Sequence, residues 1–572
     1  MRNYDRINAP PPDRITEKRA HIIGGGIAGL ASAAFLVSDA HMPGANVTVY
    51  ESLDVMGGAM DAAGDAAHGY TSRGERELEP RMECLWYLCS KIPSLQTPGL
   101  TVLDETHRAN VREPIFSKFR LMHKQGQRYD LSGPLMSPHD SKRLFELLMT
   151  PEKELENITA RDWFSPDFTK SIFWYCWSTM LAFSDHHSVM EVRRYLARFM
   201  MHSPGLKHLQ GILHTEYNEY DSIIRPLHLW LISLGVQFRT GTTVEEIEMS
   251  ADNNTATRLR LLTATGPSEI DLTVDDLVFF TNGSLTQNSC AGTTDTVAEL
   301  DASNTNRGCF TVWEKLAWRD PKFGRPEVFL SDIDKTNWIS FFPTIKGDPT
   351  FFDYMEKKTG NVAGTGGAVT IVDSSWKISF VLYSRYYPTQ PKDVNVLWAY
   401  GQDSAAIGDF VKKPMKECTG RELLFELLSH CGLDPAQRER VLDHSEVATA
   451  MMPYITSQFM PRKVTDRPKG IPEGCTNLAF IGQFVEVDRD VVFTVETSVR
   501  TAMDAVWGLT RLDKPKIRIY EPLYNLRALA AMIRSQAPTE DFSLSTLFAL
   551  FQSAPSLGHV VKFLRGLAPP PQ

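Results

Sequence analysis

A glycine loop near the N-terminus constrains the fold of this chain more than any other feature. Gly24, Gly26 and Gly29 have the spacing G-x-G-x-x-G, directly after an apolar run that is typical of a buried strand. The next residues are rich in Ala and Leu, which favour a helix. A second strand at 47–50 ends at Glu51. This order predicts a βαβ unit that binds a dinucleotide.

Each position in the loop has a physical reason. Gly24 permits a tight strand-to-helix turn, Gly26 lets a pyrophosphate approach the backbone, and Gly29 lets helix and strand pack closely. Ile27 and Ala28 open the helix, whose free N–H groups and partial positive charge attract phosphate. An ordinary βαβ unit with a glycine turn remains the alternative explanation of the spacing.

A pair of glycines distinguishes between the possible dinucleotides. Gly57 and Gly58 follow the second strand and its acidic residue, Glu51, which is placed to accept hydrogen bonds from an adenosine ribose. Chains that bind FAD commonly continue into such a glycine pair, and chains that bind NAD usually do not. The sequence therefore favours FAD.

Later segments supply further candidate contacts with FAD. A strand pair near 234–249 offers a valine whose backbone can contact adenine. The segment 275–285 is a buried strand that runs into a glycine turn, and a late strand–glycine–helix unit at 476–507 brings a helix N-terminus toward the flavin ring. The candidates in these segments are Val244, Asn282, Gly283, Ser284, Gly482, Gln483 and Phe484.

Composition restricts the class of protein. At 572 residues the chain is too long for one compact core, so about two or three domains are expected. A net charge of −9 argues against nucleic acid as a partner. The eight cysteines include no C-x-x-C pair, which favours reduced thiols, a cytoplasmic location and no metal site. No signal peptide is recognisable, and no apolar run reaches the ~18 residues of a membrane span.

The order of these signals predicts an α/β fold with a Rossmann-like FAD-binding domain, an inserted mixed α+β substrate-binding domain and a C-terminal helical segment. The predicted boundaries are a mobile arm at 1–19, an FAD-binding domain at 20–110, 211–290 and 470–510, a substrate-binding domain at 111–210 and 291–469, and a helical cap at 511–572. The cap holds 8 Lys/Arg against 4 Asp/Glu. Its helices either contact a membrane surface peripherally or cover the core.

Two charged segments are candidates for chemistry. RGERE at Arg73–Glu77 precedes a predicted helix at Leu78–Cys89 and lies close to the predicted flavin site. A solvated run of charges is the alternative interpretation. In EVRRYLARFMM, helical spacing places Tyr195 on an apolar face and the arginines on the opposite face. From spacing alone, Tyr195 is most simply a core tyrosine.

Together with the glycine loop, several motifs in order resemble the FAD-containing fatty acid hydratases, the oleate hydratases once called myosin-cross-reactive antigens. The motifs are HIIGGGIAGL, RGERE before MECLW, KQGQRYDLSG, the RRY helix, YNEY, FFTNGS, MMPYITSQFMPR and IGQFVEV, between about residues 20 and 510. The resemblance implies addition of water to a cis double bond of an unsaturated long-chain fatty acid, such as oleate to 10-hydroxystearate, without net redox change. It also implies that Glu77 activates water and Tyr195 donates the proton, with Arg73 and Arg76 beside the flavin.

Several positions depart from the family pattern. The family motif R-G-G-R-E-M has Glu75 and Leu78 here in place of Gly and Met. Glu219 replaces a glutamine that the family associates with the fatty acid carboxylate, and VLYSRYY replaces T-x-N-R-Q-P-H. A carboxylate at 219 would repel a fatty acid anion unless it were protonated or neutralised. The substrate-binding candidates are Glu219, Tyr383, Arg385, Tyr387, Thr456 and Ser457.

Two other functions remain open from the sequence. A redox flavoenzyme of the same fold, such as an amine oxidase or a desaturase, would share the glycine loop. A non-catalytic flavoprotein that binds lipid or membrane would share the basic tail. The chain could be a monomer or a homodimer.

Overall fold

The structure is a computed structural model that describes residues 9–303, 307–492 and 495–520. Its strands are β1 (Arg19–Ile23), β2 (Val47–Tyr50), β3 (Ala62–Asp65), β4 (Gly69–Ser72), β5 (Leu121–His123), β6 (Gln127–Arg128), β7 (Gln237–Arg239), β8 (Thr243–Met249), β9 (Ala256–Thr263), β10 (Gly266–Asp271), β11 (Asp276–Thr281), β12 (Cys290–Gly292), β13 (Trp338–Lys346), β14 (Val369–Ile371), β15 (Ile378–Leu382), β16 (Val394–Gly401), β17 (Ser445–Met452) and β18 (Leu478–Ile481).

The α-helices in the described residues are α1 (Ile27–Ser38), α2 (Glu83–Cys89), α3 (Val102–Arg112), α4 (Pro138–Met149), α5 (Ala160–Trp163), α6 (Ile172–Leu181), α7 (Val189–Phe199), α8 (Arg225–Ser233), α9 (Cys309–Arg319), α10 (Glu327–Leu330), α11 (Ile333–Thr336), α12 (Thr350–Thr359), α13 (Gly420–Cys431), α14 (Pro435–Asp443) and α15 (Val495–Thr510). A 3₁₀ helix at Met200–His208 follows α7, and a π-helical turn at Tyr220–Ile224 leads into α8.

A five-stranded parallel sheet carries the glycine loop. Its order is β18-β11-β1-β2-β7, and every neighbouring pair is parallel. The strands are short apolar runs because helices cover the sheet, and α1 packs against α15 beside it. This arrangement confirms the predicted α/β fold of Rossmann type.

A second, eight-stranded sheet has the order β12-β17-β13-β16-β15-β14-β5-β6. Its described pairings are antiparallel except for β14 with β5. The strands come from 121–128 and 290–452, so chain on both sides of the β8–β10 meander contributes to one sheet. The boundaries of the predicted domains stay a prediction.

One predicted helix is wrong at its N-terminal end. The spacing predicts a helix over Leu78–Cys89, but α2 begins at Glu83. Pro80 disfavours helical backbone at the residue before it, and Leu78 instead exchanges two backbone hydrogen bonds with Leu213, at 3.0 and 2.8 Å. Glu77 is therefore held in a loop beside this bridge and not on a helix.

The predicted C-terminal helices lie outside the described residues, as does most of the helical cap at 511–572. Residues 1–8 of the N-terminal arm also lie outside them. Among the residues that the structure does describe, no helix combines the length and the apolar character that crossing a membrane requires.

Candidate active site

The ends of the parallel strands enclose a cavity of about 340 Å³, which we call the dinucleotide cavity. The glycine loop forms one wall, the segment after Tyr50 a second, and the turn after β11 a third. These walls meet at the carboxyl edge of the sheet, where parallel α/β sheets bind ligands. The position predicts a ligand that spans the edge of the sheet from β2 to β18.

Backbone geometry explains the glycine spacing. Gly24 has a φ of +104°, a conformation that side chains other than glycine rarely adopt. A Cβ atom on Gly29 would lie 1.9 Å from the carbonyl oxygen of Gly24, so only glycine lets α1 pack so close to the loop. The helix begins after Gly26, whose N-cap position has no side-chain hydrogen bond. The first N–H groups of α1 therefore remain available to a phosphate.

The acidic residue after β2 stabilises the loop from the opposite side. One Glu51 carboxylate oxygen accepts a hydrogen bond from the Gly25 N–H at 2.8 Å, and the other accepts one from the Leu53 N–H at 2.9 Å. The Gly57 N–H donates to the carbonyl of Gly25 at 2.9 Å. The second pair of glycines thus lies directly against the first loop, and both form part of the wall of the dinucleotide cavity.

The residues of this cavity fit FAD. Gly26 and Gly58 face each other without side chains, and a Cβ atom on Gly58 would lie 3.1 Å from the Gly26 Cα. Thr281 lines the cavity, and its buried hydroxyl has no hydrogen-bond partner within the described part of the chain. An unpaired buried hydroxyl is costly, so a polar ligand beside Thr281 is favoured. These features match a bound pyrophosphate and its nucleoside.

Most of the predicted FAD contacts line the cavity. Those that do are Gly24, Gly26, Ile27, Ala28, Glu51, Gly57, Gly58, Arg73, Arg76, Val244, Gly283, Ser284, Gly482 and Gln483. Gly29, Asn282 and Phe484 do not line it. The Asn282 side-chain amide donates to the Phe484 carbonyl at 3.1 Å, so these two residues join β11 to the segment after β18 behind the cavity.

Several polar residues of the cavity were missed by sequence reasoning. Thr281, Thr286, Gln287 and Asn288 line it together with Thr242. The buried strand β11 runs into a turn, which indicates that residues near this turn line the cavity. The sequence prediction for this turn included only residues 282–284. The flanking polar residues gave no local sign that they turn toward the same cavity.

A second, apolar cavity of about 70 Å³ adjoins the first. We call it the apolar cavity. Its walls are Glu75, Arg76, Glu77, Leu78, Thr179, Met180, Leu181, Ala182, Tyr195, Phe199, Ile212, Trp338, Ala368, Val381, Trp398, Tyr400, Ile455 and Val495. Arg76 and Val495 line both cavities. The structure therefore brings Glu77 and Tyr195 together next to the dinucleotide cavity.

Glu77 has the electrostatics of a general base near neutral pH. Burial raises the pKa of its carboxyl to about 7, while the positive charge of Arg120 opposes that shift. A carboxyl with this pKa is ionised in part at neutral pH and can accept a proton from water. Arg120 is itself buried and donates hydrogen bonds to the carbonyls of Ala368 and Leu206, at 3.2 and 2.8 Å.

Tyr195 lies in the middle of α7, and its ring is held by aromatic neighbours. The ring centroids of Phe183 and Phe459 lie 5.1 and 5.5 Å from that of Tyr195, both edge to face. Phe199 stacks at 5.8 Å. These contacts restrict rotation of the ring while the residue lines the apolar cavity.

The arginines of α7 correct the sequence prediction, which placed them on a face opposite the apolar one. Arg194 and Arg198 are buried. Arg194 forms ion pairs with Glu152 at 2.7 Å and Glu486 at 2.6 Å, and Arg198 pairs with Glu79 at 3.2 Å. Acids from three other segments, of which Glu79 is buried and the other two are partly buried, compensate their charge, and spacing within one helix cannot reveal such partners.

The predicted substrate contacts are divided among several places. Glu219 and Tyr383 lie behind the wall of the apolar cavity, near Glu75. The exposed Arg385 donates to the carbonyl of Pro388 at 2.6 Å. The Tyr387 hydroxyl donates to the carbonyl of Thr71 at 2.9 Å. Neither side chain lines the apolar cavity.

Thr456 and Ser457 follow β17 in the Met-rich segment and are both buried. The Thr456 hydroxyl donates to the carbonyl of Thr336 at 3.2 Å. The neighbouring Ile455 lines the apolar cavity, and these two residues do not. Of residues 455–457, only Ile455 therefore lines the apolar cavity.

The parallel sheet, the glycine loop and the cavity beside it define a dinucleotide-binding α/β protein of the Rossmann type, with a cavity that fits FAD. The MCRA family model matches residues 17–507, and the chain belongs to the MCRA family. It is 39% identical to the oleate hydratase of Streptococcus pyogenes serotype M49 (strain NZ131) over 542 residues, which cover 92% of this chain and 91% of that protein.

A second hydratase and a solved structure are also similar to this chain. The linoleate hydratase of Lactiplantibacillus plantarum is 29% identical over 538 residues, which cover 86% of this chain and 94% of that protein. Among solved structures, wild-type putrescine oxidase bound to putrescine is similar with a TM-score of 0.51 and 13% identity, over 86% of this chain and 99% of that one. At that identity the similarity concerns the fold alone.

Proposed function

We propose that this protein is a fatty acid hydratase that adds water to a cis double bond of an unsaturated long-chain fatty acid, with FAD as its cofactor and no net redox change. One observation carries the proposal: Glu77 and Tyr195 line a single apolar cavity that shares Arg76 with the dinucleotide cavity. Family membership and the two hydratase relatives support it.

In this proposal Tyr195 is the proton donor and Glu77 the proton acceptor that hydration of an alkene requires. An isolated alkene is a poor base, so hydration needs an acid at one carbon and an oriented water at the other. In the proposed reaction the Tyr195 hydroxyl protonates one alkene carbon, and positive charge develops on its neighbour. Water forms the C–O bond there and gives a proton to the Glu77 carboxylate, whose charge stabilises the cation. Transfer of that proton back to Tyr195 completes the cycle.

FAD, when bound, supplies a planar polar surface beside these side chains. Arg76 belongs to both cavities, and its guanidinium donates to the carbonyls of Ala59 and Gly74, at 2.8 and 2.9 Å. It therefore joins the loop that carries Glu77 to the wall of the dinucleotide cavity. In this role the chain's residues orient the water and the alkene, and Arg76 anchors their loop to the wall that would hold the cofactor.

The apolar cavity holds only part of a long acyl chain. Ligand pockets commonly enclose about 300–1,000 Å³, and this cavity encloses about 70 Å³. A smaller void of about 20 Å³ shares Met180, Phe199 and Ile212 with it and is bounded by the 3₁₀ helix at Met200–His208. We propose that the acyl chain extends from one void into the other when these shared side chains change rotamer.

The proposal is tested by incubation of the FAD-loaded protein with oleate in the presence and in the absence of oxygen. A product that gains the mass of water under both conditions, without oxygen uptake, supports hydration. Flavin reduction by the substrate followed by oxygen consumption would instead identify an oxidase or a desaturase. Recovery of unchanged oleate, with the lipid still bound, would identify a lipid-binding flavoprotein.

The cellular setting remains a proposal. The eight cysteines are free, which supports a reducing compartment such as the cytoplasm. Peripheral membrane contact and the choice between monomer and homodimer are to be measured by vesicle flotation and light scattering on the full chain.

A further inference from the structure

Three side chains with metal-binding atoms meet beside the larger sheet, on which α13 packs. Glu426 and His430 are one turn apart on α13, and Asp409 lies in the loop after β16. The His430 Nε2 atom lies 3.2 Å from an Asp409 carboxylate oxygen and 3.4 Å from a Glu426 carboxylate oxygen. One ligand atom from each side chain lies within 4.8 Å of the other two.

We propose that Asp409, Glu426 and His430 bind a single divalent cation of the zinc type, with water as the fourth ligand, and that this cation joins the loop after β16 to α13. None of the three residues lines the dinucleotide cavity or the apolar cavity, so the proposal does not depend on the proposed function. The cysteine pattern predicted no metal site, and this site contains no cysteine.

The imidazole of His430 supplies the first argument. Only 4% of the residue is exposed, and its Nε2 atom forms no hydrogen bond with any residue that the structure describes. Both carboxylate oxygens are close enough for one, so the direction of the ring nitrogen prevents it. A buried nitrogen without a partner is costly, and a cation between the nitrogen and the two oxygens would bind all three atoms.

The spacing of the ligand atoms is the second argument. Zn²⁺ binds imidazole nitrogen and carboxylate oxygen at about 2.0–2.2 Å in a tetrahedral arrangement, which places neighbouring ligand atoms about 3.3–3.6 Å apart. The distances of 3.2 and 3.4 Å from the His430 Nε2 atom are close to this spacing. Ca²⁺ and Mg²⁺ prefer oxygen ligands in larger number, so an imidazole among few ligands favours zinc.

Both carboxylates are oriented by hydrogen bonds and keep acceptor sites for a cation. Glu426 accepts from the N–H groups of Asp409, Phe410 and Val411 at 2.5, 2.9 and 2.8 Å. Asp409 accepts from the N–H and the hydroxyl of Ser375 at 2.8 and 2.7 Å. A carboxylate has about four lone-pair sites, so each acid retains at least one. Outer hydrogen bonds of this kind fix the orientation of metal ligands.

The charge of the three side chains is the third argument. Within the described part of the chain, no Lys or Arg forms an ion pair with Asp409 or Glu426. Two carboxylates beside a neutral imidazole therefore lack a compensating charge, which a divalent cation supplies. The Glu426 side chain is fully buried, whereas 33% of the Asp409 side chain is exposed. The exposed side gives access to the cation and to its water ligand.

The test measures zinc binding by the untagged, FAD-loaded full-length protein after treatment with EDTA and dialysis. We expect calorimetric titration with zinc chloride to show one site per chain, and elemental analysis after gel filtration to give the same ratio. The temperature of unfolding should rise when zinc is added, because a ligand that binds the folded state stabilises it.

Three variants locate the site. His430→Gln and Asp409→Asn each remove one ligand, so zinc should bind at least about 100-fold more weakly and no longer raise the temperature of unfolding. Ser375→Ala removes one hydrogen bond that orients Asp409 and should weaken zinc binding by about tenfold. His107→Gln, at an exposed position of α3, is the matched control and should bind zinc like the wild type.

Three results would overturn the proposal. The first is wild-type protein that binds no zinc after removal of EDTA. The second is wild-type affinity in both ligand variants, which would assign the zinc to other residues. The third is tighter binding of Mg²⁺ or Ca²⁺ than of Zn²⁺. Bound FAD, measured by its absorbance, confirms that each variant has folded, and oleate hydration is assayed separately.

Discussion

Glu77 and Tyr195 line the same apolar cavity although they come from distant segments of the chain. Glu77 lies in the loop between β4 and α2, and Tyr195 lies in the middle of α7. The loop is fixed by the Leu78–Leu213 bridge and the helix by its buried ion pairs. The acid and the base of a hydration reaction are thereby held on separate rigid supports around one space.

Replacement of Glu77 by Gln should remove the general base and leave the shape of the cavity intact. We expect hydration of oleate to fall by about 10²–10⁴-fold, since this is the usual contribution of one general acid or base. Product formation is measured by mass spectrometry, and FAD content is the control. Full activity in a variant that retains FAD would exclude Glu77 as the activator of water.

The pH dependence of hydration should report the ionisation of Glu77. Its pKa is raised to about 7, and only the carboxylate can accept a proton, so kcat should fall about tenfold per pH unit below that value. Above about pH 7 the ionised form of Glu77 predominates, so kcat should no longer depend on pH. A rate that is constant from pH 5.5 to 7.5 would contradict the assignment, and Glu77→Gln should lose the limb altogether.

Tyr195→Phe removes one hydroxyl from a ring that Phe183 and Phe459 hold in place. Because the aromatic contacts persist, the variant should fold and bind FAD. Its kcat should decrease by about 10²–10⁴-fold through loss of the proton donor. Phe183→Leu, which changes a neighbour of the ring, serves as a comparison for packing effects. An unchanged kcat in Tyr195→Phe would assign the proton to another group.

Gly29→Ala tests the packing of the glycine loop. The added methyl group would overlap the Gly24 carbonyl oxygen at 1.9 Å, so α1 must move and FAD binding should be lost or weakened by at least about tenfold. Gly133→Ala is the control, because nothing lies within 4 Å of a Cβ atom at that position. Equal FAD content in the two purified variants would contradict this description of the loop.

Arg194→Met tests the buried charges behind Tyr195. Removal of the guanidinium leaves Glu152 and Glu486 without their closest cation, and breaking a buried ion pair of this kind costs about 3–5 kcal/mol. The free energy of unfolding, measured in urea, should decrease by that amount. The neighbouring Arg193 pairs with Glu152 at a longer distance of 3.4 Å, so Arg193→Met should cost less. If the two variants lost the same free energy of unfolding, Arg194 would contribute no more to stability than Arg193.

Local sequence signals predict the FAD-binding half of the fold well. The glycine spacing, the strands β1, β2, β11 and β18 and the helix α1 are short local patterns, and the structure has them at those positions. The registers of the eight-stranded sheet depend on pairings such as β13 with β17, which lie far apart in sequence. No local period can encode such a pairing.

The limits of prediction in the site have the same cause. Helical spacing places Arg194 opposite Tyr195, but the acids that allow its burial come from Glu152 and Glu486. Trp338 and Trp398 reach the apolar cavity from two strands of the larger sheet. Glu75 and Glu219 likewise meet tyrosines from a third segment, Tyr383 and Tyr386. Each of these features arises only after the chain is folded.

The origin of the added oxygen tests the central claim most directly. FAD-loaded wild-type protein and Glu77→Gln are incubated with oleate in water enriched in heavy oxygen, without molecular oxygen. The hydratase account predicts that the wild-type product carries one heavy oxygen atom from water and that Glu77→Gln forms it at least about 100-fold more slowly. A product without heavy oxygen, or one formed only when molecular oxygen is admitted, would contradict the account.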